Sequence, residues 1–188
     1  MLYCLLFKIV FEDRANEDWP FMGTLVVDGT NCPILEPGDF SPIWYSHKFN
    51  GPGVRYEIAS SIQTGLILWT NGPFAAGLCP DDEIFAEFLA HKLYDDEVVH
   101  ADRGYNNPDN RFIIFHPGVV ATQAQLRANK VVRAWHETIN QKFKKYKIIS
   151  DKFRYNLEWH GNCFQAVASL VQLTMIHDEK PYEIHYEE

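Results

Sequence analysis

Residues 121–146 repeat apolar side chains at the spacing of one helix face. At about 100° per residue, one side of such a helix collects large apolar residues: Val131, Val132, Trp135, Ile139 and Phe143. The opposite side forms a narrow polar stripe: Lys130, Arg133, Glu137, Asn140 and Lys144. The pattern predicts a long helix that buries its apolar side and presents one carboxylate flanked by cations.

Short apolar runs elsewhere predict five β-strands, at residues 24–27, 54–63, 66–70, 97–101 and 111–115. The first is β-branched, and we expect it to end at Asp28 and Gly29. Residues 64–65 (Thr-Gly) suit the turn of a hairpin between the second and third strands. The Asn-Gly-Pro sequence at 71–73 is expected to end the third strand.

Two further helices are predicted on either side of the fourth and fifth strands. The first opens at residues 80–83, where Asp81 and Asp82 are interpreted as caps and not as catalytic acids. The last runs over residues 157–175 and has apolar positions suited to cover a sheet. The order of elements predicts an α/β fold with a mixed sheet and helices on its faces.

At 188 residues, 46% of them hydrophobic, the chain is expected to be one domain spanning 1–188. Residues 1–20 are interpreted as a lead-in segment and 177–188 as an acidic tail, and no separate DNA-binding domain is expected. The net charge of −8 argues against a protein that holds DNA over its whole surface.

The cysteines and the first residues restrict where the protein works. The four cysteines show no C-x-x-C spacing, which fits free thiols in a reducing compartment. The apolar start of the chain is too short to span a bilayer and lacks the parts of a signal peptide. The sequence therefore predicts a protein that is neither secreted nor bound to a membrane.

Three acids stand out by position. Asp28 and Asp102 each follow a short apolar run with a glycine soon after, and Glu137 lies on the polar stripe of the long helix. If the first and fourth strands are neighbours, the three meet at one end of the sheet, where repulsion should raise the pKa of at least one. Oxygen ligands suit Mg²⁺ or Mn²⁺, and a pair of such ions can drive phosphodiester cleavage. Two alternatives remain open: Asp28 only closes a turn, and Glu137 only pairs with Arg133.

The segments carrying these acids (VVDGTNCPI, HADRGY and VVRAWHETINQKFK) resemble DDE transposases of the PIF/Harbinger group over about residues 20–176. The segment SHKFNGPGVRYEIASSIQTGLILWTNGPF fits the same group. Arg133, Glu137 and Lys144 also match the Tyr-x2-Arg-x3-Glu-x6-Lys signature of a bacterial insertion-sequence group, whereas Lys130 replaces its Tyr.

The resemblance implies an RNase H-like fold, with a mixed five-stranded sheet flanked by helices. It implies a divalent-metal-dependent DNA endonuclease in which Asp28, Asp102 and Glu137 are catalytic and bind Mg²⁺ or Mn²⁺, as two ions. Arg133 and Lys144 would orient Glu137 and offset substrate charge, and Asn140 would support the site. A nuclear location is favoured over a cytoplasmic one.

The net charge leads us to expect weak DNA binding by the chain itself, with a separate DNA-binding partner protein. Two other functions stay open: a catalytically silent RNase H-like module that binds a partner, and a hydrolase of RNA or RNA–DNA hybrid. His136 is interpreted as a residue flanking the site, with contact to the substrate as the less favoured alternative. Lys48, Arg55 and Arg103 are either phosphate contacts or solvated surface.

Overall fold

A computed structural model describes residues 9–11, 23–95, 97–105, 113–114 and 123–177. The predictions for most of the lead-in segment, and for the tail after His177, lie outside these residues. No helix in the described ranges is long and apolar enough to cross a membrane. Cys32, Cys79 and Cys163 are free thiols.

The sheet of the described chain contains six strands. Their bounds are β1 (Gly23–Pro33), β2 (Tyr45–Ser46), β3 (Gly51–Ser61), β4 (Ile67–Ala75), β5 (Val98–His100) and β6 (Ile113–Ile114). Five of these strands run in the order β4-β3-β1-β5-β6, and β2 pairs with the start of β3. β1 is antiparallel to β3 and parallel to β5. This is the predicted mixed α/β sheet of the RNase H-like fold, with two-residue β2 added beside it.

The helices lie on both faces of this sheet. Their bounds are α1 (Asp81–Ile84), α2 (Gln123–Lys144), α3 (Lys147–Ser150) and α4 (His160–His177), and α1 continues as irregular helical turns to Lys92. On one face, α2 and α4 bury Tyr56, Ile139 and Phe164. On the other, the α1 region packs Phe85 and Tyr105 against β1. The amide of Gln172 also bonds both backbone groups of Ile67, which ties α4 to β4.

The buried face of α2 is centred on Ile139. The predicted burial of Trp135, Ile139 and Phe143 is confirmed. The prediction for Val131 is wrong, because its side chain is 36% exposed. At about 100° per residue, Val131 lies roughly 80° from Ile139, at the edge of the face, whereas His136 lies about 60° away, within it. The side chain of Val132 lies outside what the structure describes.

Two predicted strand ends are wrong. β1 continues through Asp28 and Gly29 to Pro33, and Gly29 stays paired with Glu57 of β3. β4 continues through residues 71–73 to Ala75, with a cis peptide before Pro73. Gly72 adopts a φ of 134°, and the register shifts by one residue there, so a bulge absorbs the sequence that was expected to stop the strand. The predicted turn at 64–65 is confirmed, with Gly65 at a φ of 69°.

Candidate active site

One cleft of about 130 Å³ lies between the middle of β1, the carboxyl end of β5 and the helix α2. We call it the cleft; its lining residues are Val26, Val27, Asp28, Ala101, Asp102, Arg133, His136 and Glu137. β1 and β5 are parallel neighbours, with Val26 opposite His100. Asp28 and Asp102 each follow that pair by two residues, so the topology brings both to the same edge. The structure thus gathers all three predicted acids along one cavity.

The carboxylate of Asp28 lines the cleft and accepts two hydrogen bonds that fix its orientation. Its Oδ1 accepts a hydrogen bond from the backbone N–H of Gly29 at 2.7 Å, and its Oδ2 accepts one from Nδ2 of Asn140 at 3.0 Å. Burial raises the pKa of Asp28, Lys48 opposes this, and Asp102 adds to it. The expected direction of the shift is confirmed, but burial contributes more than repulsion. Asn140, predicted to support the site, therefore contacts Asp28 directly.

The other two acids face the solvent side of the cleft. Asp102 is exposed, and its Oδ1 accepts the backbone N–H of Gly104 at 2.7 Å, which fixes the turn after β5. Glu137 is exposed on α2. Within the described residues no ion pair joins Glu137 to Arg133 or Lys144. Arg133 lines the cleft, whereas Lys144 does not and lies about three turns further along α2.

The donors of the cleft fit a hard divalent cation in their chemistry. They are carboxylate oxygens, the ligands that Mg²⁺ and Mn²⁺ prefer. Asp102 also lies close enough to Asp28 that its charge raises the pKa of Asp28. No three His, Cys, Asp or Glu side chains of the described residues are gathered closely enough to hold a metal ion. Binding at this cleft therefore requires its carboxylates to draw together around the ion.

His136 lies in the wall of the cleft, which corrects its interpretation as a flanking residue. The side chain is 2% exposed and lines the cavity beside Asp102 and Glu137. Burial lowers the pKa of His136 to about 4, so the ring is neutral near pH 7. Neither ring nitrogen has a hydrogen-bond partner in the described structure. The rotation of α2 about Ile139 explains why this residue turns inward.

A second polar group lies on the other face of β1. We call it the Asp81 cluster and define it as Arg55, Glu57 and Asp81. Nε of Arg55 lies 3.4 Å from Oδ1 of Asp81, and Nη1 of Arg55 donates to the carbonyl of Cys79 at 2.6 Å. Oε2 of Glu57 accepts from Nε1 of Trp69 at 2.8 Å. Burial raises the pKa of Glu57 to about 8, so this carboxyl is mostly neutral at pH 7.

Asp81 does not have the role that the sequence predicts for it. Pro80 is the N-cap of α1, and no side chain caps that end, so the capping role assigned to Asp81 and Asp82 is wrong. The carboxylate of Asp81 instead lies over Gly29, where any Cβ would overlap with it. Burial raises the pKa of Asp81, Arg55 and Lys48 lower it, and Asp28 and Asp102 raise it further. Asp81 thus belongs to the same electrostatic group as the two acids of the cleft.

The glycine after Asp28 was the sequence signal for this arrangement. Gly29 follows Asp28, yet it makes no turn and adopts no positive φ. Its missing side chain creates the space that the carboxylate of Asp81 occupies. A strand glycine that admits a close neighbour cannot be told from a turn glycine by sequence alone.

Three basic residues are predicted to be either phosphate contacts or solvated surface, and they have different positions. Nζ of Lys48 donates to the carbonyl of Gly29 at 2.7 Å, beside Asp28. Arg55 pairs with Asp81 and donates a hydrogen bond to the carbonyl of Cys79, so it is neither solvated surface nor available to bind phosphate. The side chain of Arg103 lies outside what the structure describes.

Comparison with known proteins adds one result to this geometry. Residues 27–173 match the model of a family described as DDE superfamily endonuclease. No curated protein and no solved structure matches the chain significantly. The matched segment covers most of the chain and contains Asp28, Asp102 and Glu137, together with the helix that carries the polar stripe. The chain therefore belongs to the DDE superfamily endonucleases.

Proposed function

We propose that the chain is the catalytic domain of a divalent-metal-dependent DNA endonuclease of the transposase type. Asp28, Asp102 and Glu137 are its catalytic, metal-binding residues. The observation that carries the proposal is that these acids, distant in sequence, line one cleft together with the guanidinium-bearing Arg133. Membership of the endonuclease family supports the reaction class. The PIF/Harbinger subtype is part of the proposal.

The residues of the cleft have separable tasks in this reaction. Asp28, Asp102 and Glu137 would hold Mg²⁺ or Mn²⁺, as two ions, which supply charge for the attacking and leaving oxygens. Asn140 and the N–H of Gly29 hold Asp28 in one orientation before the substrate arrives. Arg133 provides a cation for the phosphate at the cleft wall. Lys48 balances part of the negative charge of Asp28.

The exposed side of α2 is the surface that would meet the DNA backbone. Lys130, Arg133 and Lys144 are all exposed there. Because the whole chain carries a charge of −8, only a few phosphates can be neutralised, and the affinity of the isolated chain should be weak and salt-dependent. Tight binding at a chosen sequence would then depend on a separate DNA-binding partner protein. A nuclear location follows from the same proposal.

Cleavage by the purified protein tests the proposal. Linear duplex DNA, nicked duplex and RNA–DNA hybrid are incubated with Mg²⁺ or Mn²⁺, using the wild type and Asp102→Asn. Asp39→Asn is the matched control, because Asp39 is an exposed acid that does not line the cleft. We expect metal-dependent cleavage of DNA that Asp102→Asn abolishes and Asp39→Asn retains. Cleavage of the hybrid alone would instead establish an RNase H-like hydrolase.

One observation favours a second candidate, a catalytically silent module that binds a partner. The described residues contain no preformed group of three metal-binding side chains. A silent module needs none and would keep the fold without the chemistry. If all three substrates survive with either metal while the protein is folded, this reading replaces the nuclease.

A further inference from the structure

His136 has a hydrogen-bonding capacity that the protein itself does not use. An imidazole ring carries at least one N–H donor in either of its charge states. Burying such a group without a partner costs roughly 1–3 kcal/mol, so buried polar groups usually have one. His136 is 2% exposed, and both its nitrogens are without partners in the described chain.

A second buried histidine shows the ordinary arrangement. Nδ1 of His160 lies 2.7 Å from the hydroxyl of Tyr56, and its ring stacks on the ring of Tyr56 with centroids 5.5 Å apart. His160 is also fully buried, and burial lowers its pKa to about 4 as well. It packs against aromatic residues and does not line the cleft. Nε2 of His160 has no partner among the described residues, so the two histidines differ in location and in that one ring nitrogen of His160, but neither of His136, is satisfied.

The surroundings of His136 define the kind of group that would satisfy it. The ring lines the same cavity as the guanidinium of Arg133 and the three carboxylates. The carboxylates accept no hydrogen bond from it in the described structure. A ligand that binds there must therefore bring an oxygen acceptor. An anionic oxygen is favoured, because a bond from a buried donor to a charged acceptor is about twice as strong as a neutral one.

We propose that His136 donates a hydrogen bond from its ring N–H to a non-bridging oxygen of the phosphodiester bound in the cleft. His136 and Arg133 then hold one phosphate between them, while the three acids lie on the other walls. This inference rests on the proposed nuclease function, because it takes the phosphodiester as the ligand. It adds a substrate-binding residue that is separate from the metal-binding acids.

Binding of a short fluorescein-labelled DNA duplex without divalent metal tests the inference. His136→Phe fills the site without a donor, whereas His136→Gln and His136→Asn each retain an amide N–H. We expect His136→Phe to weaken binding about tenfold, the size of one lost bond to a charged group. At least one amide variant should restore most of the affinity. His160→Phe is the matched control and should leave the affinity unchanged.

A direct readout accompanies the affinity. In nitrogen NMR spectra of histidine-labelled protein, the donor nitrogen of His136 should shift when the duplex is added, and the nitrogens of His160 should not. Folding of each variant is checked by thermal melting. Wild-type binding that His136→Phe leaves intact, or that neither amide variant restores, would overturn the role of His136 alone. A wild type with no affinity for the duplex would overturn this inference, whereas the proposed function falls only if the cleavage test also fails.

Discussion

The cleft and the Asp81 cluster lie on opposite faces of β1, and they differ in which of their polar groups have partners. In the Asp81 cluster, Asp81 is paired with Arg55, and Oε2 of Glu57 accepts a hydrogen bond from Trp69, whereas Oε1 of Glu57 has no partner among the described residues. In the cleft, His136 has no partner among the described residues, and Arg133 and Glu137 do not pair. Both regions are rich in acids.

The contrast lies in Arg133, His136 and Glu137, because Asp28 and Asp102 already accept hydrogen bonds within the protein. A polar group that already has its partners gains little from a ligand, because binding would only exchange one hydrogen bond for another. A group left without partners gains the whole interaction. We therefore interpret the Asp81 cluster as the support of the cleft, and the cleft as the place where a ligand binds.

The largest expected loss of stability comes from a variant that disrupts the Asp81 cluster. In Gly29→Ala, the added methyl overlaps with the carboxylate of Asp81 and forces it away from Arg55. Separating a partly buried ion pair while overpacking its surroundings should cost about 3 kcal/mol of unfolding free energy. Urea denaturation measures the change.

Two controls test that explanation. In Gly51→Ala, the new methyl meets no atom closer than a ring carbon of Phe49 at 3.9 Å, so the loss should be small. In a background of Asp81→Ala, the cost of Gly29→Ala should largely disappear, since the two effects are coupled. A full cost in that background would mean that Gly29 serves a purpose other than admitting Asp81.

The second prediction concerns metal binding at the cleft. If the acids bind Mg²⁺ or Mn²⁺, the ion stabilises the folded state by about 2.7 kcal/mol at 100 times its dissociation constant. Asp102→Asn should lose this gain, and the exposed Asp39→Asn should keep it. Thermal melts with and without metal measure the difference. Equal responses of the wild type and Asp102→Asn would place any bound metal elsewhere.

The third prediction concerns the support of Asp28. Asn140→Ala removes the donor to Oδ2 of Asp28 and should lower the unfolding free energy by about 2 kcal/mol, the value of a hydrogen bond to a charged group. It should also reduce any metal-dependent cleavage. Gln141→Ala is the control, because Gln141 is the next residue of α2 and is exposed. Similar stability losses in the two variants would show that Asn140 acts through the helix and not through Asp28.

The last prediction concerns Glu57. The expected change in unfolding free energy on replacing Glu57 is the smallest of the four at low pH, but it depends most clearly on pH. Its pKa is raised from 4.5 to about 8, so the folded state favours the proton. The stability from Glu57 is fully present below its unfolded pKa and is lost as the pH rises through about 8. Glu57→Gln should therefore match the wild type to within about 1 kcal/mol near pH 5 and exceed it increasingly at higher pH.

The control for this variant is Glu83→Gln, since Glu83 is exposed on α1. It should follow the wild type at every pH. Comparing the variants in this way cancels the opposing contribution of the buried histidines, whose lowered pKa values reduce stability as the pH falls toward 4. A wild type that parallels Glu57→Gln across the range would show that Glu57 is not buried as a neutral acid.

The sequence by itself determined the local elements and the family. Apolar periodicity found the strands, the helix that carries Glu137 and its buried residues Trp135, Ile139 and Phe143, because these depend on neighbours a few positions apart. It also indicated that Asp28 and Asp102 come after apolar runs, although β1 itself continues through Asp28. That the cleft contains both, with Glu137, follows from the parallel pairing of β1 with β5.

Only the tertiary structure decided which polar residues have partners. Asp81 looked like a cap because its own helix explains it, but its contact with Gly29 joins residues far apart in the chain. His136 looked peripheral because it neighbours the polar stripe, and only the packing of α2 against the sheet turns it into the cleft. Similarly, Gly72 and Pro73 are typical of a strand end, but β4 continues through them because its pairing with β3 accommodates a bulge there. Burial and long-range contacts are properties of the assembled fold, so the local pattern of residues does not specify them.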